Sequence, residues 1–280
     1  MSGTTAYHPP GGGFELGAEP TPVRVIIGDV WRYRGLLAIL ARKDFFVKFR
    51  RASLGMAWAV LLPLVQALVM SVVLSHFVKF KTSINYPVFV FSGTVVWAFF
   101  STSLSTGSGS IVDANDLSTK VYFPRALFPL VSVAANLYGT SVTTVVLVGL
   151  ALIVGVPLDF HLLLIIPGLI MMVVLTATFT LVFAMMQVYF RDMRYVVSAA
   201  LTAWVYATPV FYKLSLVGKL GPYLRINPVT GVVELFRASL GAADSGWWIS
   251  VIWTAGWSVV LLIVALLLYR RFDRVCTDLL

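Results

Sequence analysis

Residues 56–78 read MAWAVLLPLVQALVMSVVLSHFV, a run without Asp, Glu, Lys or Arg. A helix rises 1.5 Å per residue, so about twenty apolar residues cross the roughly 30 Å hydrocarbon layer of a bilayer. Five more runs of this kind follow, at 86–105, 126–156, 162–188, 195–212 and 248–269. They are far longer than the alternating segments of about ten residues that build a membrane β-barrel. A helix also satisfies its own backbone hydrogen bonds, as hydrocarbon demands. Hydrophobic residues make up 59% of the chain and mean hydropathy is +0.90, which leaves little sequence for a separate soluble domain. The pattern predicts an all-α membrane protein, with six transmembrane helices over 56–280.

Charge orients the bundle. Of the 21 Lys and Arg, Arg24, Arg32, Arg34, Arg42, Lys43, Lys48, Arg50 and Arg51 precede the first run. Lys120 and Arg125 lie between the second and third, Arg191 and Arg194 between the fourth and fifth, and Arg270, Arg271 and Arg274 after the sixth. The alternate gaps hold only Lys79, Lys81, Lys213, Lys219, Arg225 and Arg237. Basic residues gather on the cytoplasmic side, so a multi-pass protein of the cytoplasmic (inner) membrane with both termini in the cytoplasm is expected. The net charge of +9 is then a topology signal and an attraction for anionic membrane lipids. No basic stripe interleaved with aromatics points to nucleic acid. The lone cysteine, Cys276, excludes an internal disulfide.

Residues 1–22 are rich in Gly, Pro and Thr, carry no apolar core, and are expected to be a disordered tail. Residues 23–55 form a cytoplasmic segment with an amphipathic interface helix. Between Leu36 and Ser53, Leu37, Leu40, Phe45, Phe46 and Phe49 alternate with Arg42, Lys43, Lys48, Arg50 and Arg51. Such a helix lies in the headgroup layer. Two roles are open to its last cations. Lys48, Arg50 and Arg51 either anchor the segment or receive an anionic lipid head such as a pyrophosphate, which the planar guanidinium fork suits.

The gap between the second and third runs contains Asp113, a candidate helix cap with Asn115, and Pro124, which ends the helix. A short helix presenting Leu117, Val121 and Tyr122 either docks into a partner or packs on its own bundle, and spacing alone does not separate the two. Inside the runs ionisable residues are nearly absent, which argues against proton coupling and against a membrane-embedded enzyme. Gln66 and Gln187 are expected to bond between helices. No group of residues has metal-ligand spacing. The stretch 213–247 is too long for a connector, and Glu234 and Arg237 stand at ion-pairing distance along a helix. Aromatics at run ends suit interfacial anchoring, whereas Trp204 and Tyr206 lie deeper in the fifth run and, with Phe211, are expected to line a path through the bundle.

Four motifs in order resemble one family. Asn115-Asp116-Leu117 followed by Lys120-Val121-Tyr122-Phe123-Pro124-Arg125 is similar to the coupling helix of ABC exporter permeases for bacterial cell-surface polysaccharides, the Wzm-type permeases of O-antigen and teichoic acid. Phe49-Arg50-Arg51-Ala52-Ser53-Leu54-Gly55 with Trp58 and Pro63 matches before the first run, and Tyr189-Phe190-Arg191-Asp192 after the fourth. Thr208-Pro209-Val210-Phe211-Tyr212, Asn227-Pro228 and Arg237 match around the loop after the fifth.

The resemblance implies a homodimer that pairs with two copies of a separate nucleotide-binding subunit and moves a lipid-linked polysaccharide, an actinobacterial galactan among the candidates. It implies that residues 115–117, 120–123 and 125 contact the ATPase, joined by Arg191 and Asp192 of the second cytoplasmic loop. It further implies re-entrant helices over 213–247 forming an outer gate with Tyr212, Asn227, Pro228, Glu234 and Arg237. The chain has no G-x-x-x-x-G-K-[ST] loop, so ATP and Mg belong to the partner and no cofactor is expected in this chain. Two other readings stand beside this one. The first is a drug or lipid exporter of the same superfamily. The second is a membrane-embedded glycosyl- or phosphotransferase, which would need a catalytic cluster around Asp113 and Asp116.

Overall fold

The computed structural model describes residues 23–77, 82–114, 124–157 and 159–272. Among them all regular structure is helical. The chain enters through α1 (Val23–Arg32) and α2 (Arg34–Phe49), makes a 3₁₀ turn at Gly55–Ala57, and continues into α3 (Trp58–Phe77) and α4 (Tyr86–Ser108). The short α5 (Ser110–Asp113) precedes α6 (Leu127–Ile153). After a 3₁₀ turn at Phe160–Leu164 come α7 (Ile165–Tyr189) and α8 (Met193–Ala207). Another 3₁₀ segment (Leu214–Leu220), α9 (Gly221–Arg225) and α10 (Thr230–Ser239) lead to α11 (Trp247–Phe272).

Five helices, α3, α4, α6, α7 and α11, are long and apolar enough to cross a membrane. The sequence suggested a sixth over 195–212, but α8 ends at Ala207 after 15 residues, about 22 Å. Pro209 is the reason. It pushes the residue before it out of the helical region, and Thr208 is extended at φ −102°, ψ 135°. The chain then turns through 208–212 instead of continuing outward.

The five long helices are not equivalent. In α4 78% of the apolar window is buried, against 17% in α3 and in α11, so α4 is the hub and the other two are peripheral. It packs against α3, α6, α7, α8 and α10. Phe89, Phe91, Phe99 and Phe100 on α4 are fully enclosed. A second interior element is α10, all ten of whose residues are buried. Its Gly231 makes this possible, because a Cβ there would lie 2.3 Å from the Ser250 carbonyl oxygen and from Thr254 Oγ1 on α11. Backbones approach this closely only where a small residue sits at the crossing.

The amphipathic helix forms as α2, but its buried residues do not face lipid. Ala41 and Phe45 pack on Ala135 of α6, and the Phe45 ring contacts those of Phe49 and Tyr138. Ile39, Phe46 and Val47 remain exposed. The tail expected at 1–22 and residues 115–123 of the coupling segment lie outside the described residues.

Candidate functional site

Two polar groupings occupy opposite ends of α4. At its N-terminal end the chain folds back on itself so that residues 207–212, 227–231 and 234–246 meet. Arg237 and Glu234, one helical turn apart on the fully buried α10, pair at 3.2 Å with side-chain exposures of 0% and 1%. An isolated charge here would be very costly, so each must be neutralised and hydrogen-bonded. Arg237 Nη2 donates to the Val210 carbonyl at 2.8 Å and Nη1 to that of Tyr212 at 3.3 Å. Its guanidinium lies 3.7 Å from the centre of the Phe89 ring. Glu234 Oε2 accepts from the Asp244 amide at 2.9 Å, and Asp244 Oδ2 accepts from the Ser215 amide at 2.6 Å.

Asn227 closes the same end. Its Nδ2 donates to the Ala207 carbonyl at 2.9 Å, capping the C-terminus of α8, and its Oδ1 accepts from Trp204 Nε1 at 3.2 Å and from the Val229 amide at 3.1 Å. The Pro228 carbonyl accepts from Thr254 Oγ1 at 2.7 Å. Tyr212 donates its hydroxyl to the Tyr206 carbonyl at 2.9 Å. The residues singled out here from the sequence, Tyr212, Asn227, Pro228, Glu234 and Arg237, therefore share one network.

The three aromatics singled out nearby differ from one another. Trp204 packs edge-on against Phe100 and Phe179, with ring centres 5.4 and 5.5 Å away. Phe211 is buried, and its carbonyl accepts from the Tyr86 hydroxyl at 2.8 Å. Tyr206 is 63% exposed.

The other grouping lies at the C-terminal end of α4. Lys48, Arg50 and Arg51 surround one depression at the end of α2. Lys48 also reaches the mouth of a separate cleft of about 350 Å³ between α2, α3, α4 and α6. Its Nζ donates to Asn136 Oδ1 at 3.4 Å, and partial burial lowers its pKa. Asn136 Nδ2 donates to the Ser132 carbonyl at 3.0 Å. Deeper in, Gln66, Ser101, Thr102 and Thr140 line the walls with Trp58 and Phe99. Sequence reasoning noted Gln66 but missed Thr102 and Asn136. The signal available was the spacing of Ser101, Thr102, Ser105 and Thr106, which puts four hydroxyls on one face of a helix.

Gln187 does not bond between helices as expected. Its Nε2 donates to the Arg191 carbonyl at 2.9 Å, in the turn between α7 and α8. The side chains of Arg191 and Asp192 are exposed. Neighbouring Arg194 pairs with Asp113 at 2.7 Å and so ties the first turn of α8 to the end of α5. Asn115, Asp116, Leu117, Lys120, Val121, Tyr122 and Phe123 lie outside the described residues. Arg125, which follows them, is half-buried, and its Nη1 has no hydrogen-bond partner. Among the described residues no group of three His, Cys, Asp or Glu could hold a metal ion.

Comparison with known proteins spans most of this architecture. The sequence model of the ABC-2 type transporter family matches residues 35–240, from the start of α2 to the end of α10. The O-antigen export system permease protein RfbA of Myxococcus xanthus is 32% identical over 216 residues, which cover 76% of this chain and 83% of that protein. RfbA of Klebsiella pneumoniae is 24% identical over 84% of this chain and 91% of its own length. The polysialic acid transport protein KpsM of Escherichia coli is 25% identical over 83% and 91%.

Proposed function

The chain belongs to the ABC-2 type transporter family, and we infer that it is the membrane subunit of an ATP-driven exporter that carries a lipid-linked polysaccharide outward across the inner membrane. The observation that carries this reading is the 32% identity over 216 residues to an O-antigen export permease, together with the ABC-2 family match from α2 to α10. The chain is a transporter subunit and not an enzyme. ATP and Mg are bound by a separate nucleotide-binding subunit.

In this reading both termini are cytoplasmic, and α8 with the following turn completes a sixth crossing. The 3₁₀ segment, α9 and α10 close the outer mouth as re-entrant helices, a reading supported by the enclosed Glu234–Arg237 pair of α10 and its bonds to the Val210 and Tyr212 carbonyls. Two copies around a two-fold axis supply a passage that one bundle lacks. Tyr206, the exposed member of the aromatic trio, faces that passage, while Trp204 and Phe211 shape its wall from behind. Lys48, Arg50 and Arg51 receive the lipid phosphate, and residues 115–125 with Arg191 and Asp192 dock on the ATPase.

The test is co-expression with the nucleotide-binding subunit. ATPase activity is expected only in the complex, and L117D together with V121D should leave membrane insertion intact while abolishing complex formation and glycan export. Normal export by that double variant would overturn the reading.

A further inference from the structure

Helix α2 has two sides, and only one of them meets protein. Ala41 and Phe45 dock on Ala135 and Tyr138, about two to three turns into α6, itself long and apolar enough to cross a membrane. Gly139 of α6 brings a third helix to the same point, since a Cβ there would lie 3.1 Å from Ala59 Cβ and 3.4 Å from Phe45 Cε2. Ala59 belongs to the first turn of α3. The end of α2 is therefore level with the start of an apolar span, at the edge of the hydrocarbon layer.

The other side of α2 is bare. Ile39, Arg42, Lys43 and Phe46 stand three or four residues apart, so they share one face, and all four are exposed. Ile39 is 67% exposed, and Val47 at the edge of the face 58%. Asp44 is the only carboxylate of α2, and it lies two residues from both Arg42 and Phe46, on the far side of the helix. None of Arg34, Arg42 and Lys43 forms a salt bridge among the described residues. Two of these cations cover exposed rings instead. The Arg42 guanidinium lies 5.7 Å from the centre of the Phe46 ring, and that of Arg34 lies 4.9 Å from the ring of Trp31. Toward the C-terminal end the face opens into a groove of about 440 Å³ beside the turn at Gly55 and Met56, lined by Lys43 and by Phe46, Val47 and Met56.

Water does not suit such a face, because large apolar side chains at this depth transfer favourably out of it. Hydrocarbon does not suit it either, because it would strip the cations of solvation. The exposed residues of α3, Leu62, Val65, Leu68 and Val69, show what an acyl-chain contact looks like here, and none of them is charged. A face that alternates cations with rings and aliphatic side chains fits the boundary between phosphate and acyl chain. With no carboxylate among them, its cations favour anionic head groups over zwitterionic ones.

We propose that the bare face of α2 is a binding surface for anionic phospholipid of the surrounding membrane, with phosphates at Arg42 and Lys43 and acyl chains along Ile39, Phe46, Val47 and Met56. The surface is separate from the side of α2 that carries Phe45, and it serves whatever the chain transports. Its occupant is bulk lipid, which ties the α2–α3 junction to the composition of the leaflet around it.

The test uses the purified full chain as an F46W variant in nanodiscs of phosphatidylcholine with a minor fraction of phosphatidylglycerol. One or the other lipid carries bromine on its acyl chains, and the readout is quenching of the fluorescence that F46W adds to the unsubstituted chain. At equal mole fraction brominated phosphatidylglycerol should quench about fivefold more effectively, the enrichment that one cation gives near an anionic surface. R42Q with K43Q in the same background should remove that preference and keep the quenching by brominated phosphatidylcholine. Raised salt should reduce the preference in F46W alone, so a destabilised double variant does not leave the matter open. Equal quenching by the two lipids would overturn the proposal, because the face would then meet lipid without selecting charge. Absence of quenching by either would overturn it too, since protein, such as a second copy of the chain, would then cover the face. The nanodiscs contain no glycan cargo, so the signal reports bulk lipid.

Discussion

The two ends of α4 handle polarity in opposite ways. At the Arg237 end the charges are enclosed and find partners within the chain: Arg237 pairs with Glu234 and donates to the carbonyls of Val210 and Tyr212, and Glu234 accepts from the amide of Asp244, with Arg237 Nε alone of these groups left without a partner among the described residues. At the Lys48 end, exposed Gln66 and half-buried Thr102 line a cleft and make no side-chain hydrogen bond among the described residues, while Lys48 holds Asn136 at only 3.4 Å. Both sets are polar and both sit in a chain of mean hydropathy +0.90. The difference separates polarity enclosed within the fold from polarity that stands open to its surroundings. A satisfied buried pair contributes little net stability but is costly to break, whereas an unsatisfied one loses little when removed.

The largest predicted effect breaks the closed end. R237A leaves the Glu234 carboxylate uncompensated and two carbonyls unpaired, and should cost about 3–5 kcal/mol. Denaturant unfolding in detergent measures it. A loss below about 1 kcal/mol would show that water reaches this pair, and the contrast would fail.

A smaller effect tests the close approach that encloses α10. G231V places a branched side chain where even a Cβ would lie 2.3 Å from the Ser250 carbonyl oxygen. Overpacking of this kind costs about 1–3 kcal/mol, read as a lowered Tm, and should increase proteolysis between α9 and α11. An unchanged Tm would mean that α10 and α11 separate without penalty.

The smallest effect belongs to the open end. Q66L removes an exposed amide that makes no hydrogen bond among the described residues and should shift stability by no more than about 0.5 kcal/mol. Destabilisation comparable to that of R237A would erase the distinction between the two ends.

Much of this was legible from residues alone. The apolar runs located α3, α4, α6, α7 and α11, since hydrocarbon leaves a helix few alternatives. Glu234 and Arg237 were readable as a pair from their spacing, because three residues along a helix place side chains together. The end of α8 was misread: the apolar count over 195–212 outweighed Pro209, although a proline restricts its predecessor whatever the surrounding hydropathy. The bond from Gln187 to the turn after its own helix escaped for a related reason, since a local carbonyl four residues away competes with any neighbouring helix. The cleft could not be read, because Lys48, Gln66, Thr102 and Asn136 belong to four different helices.

By itself, then, the sequence determined that this is a helical membrane protein, roughly where its helices run, and in which of the gaps between apolar runs its cations gather. These depend on transfer of side chains and backbone from water to hydrocarbon, which is a property of short stretches. Only the tertiary structure decided that α4 is the hub and α3 and α11 the periphery, although all three are long and apolar enough to cross a membrane. It alone decided that Arg237 is enclosed while Gln66 stands open. Lipid tails are as apolar as leucine, so hydropathy cannot say which helix faces lipid and which faces protein. Small residues at crossings and hydrogen bonds between distant segments make that choice, and those partners meet only when the chain has folded.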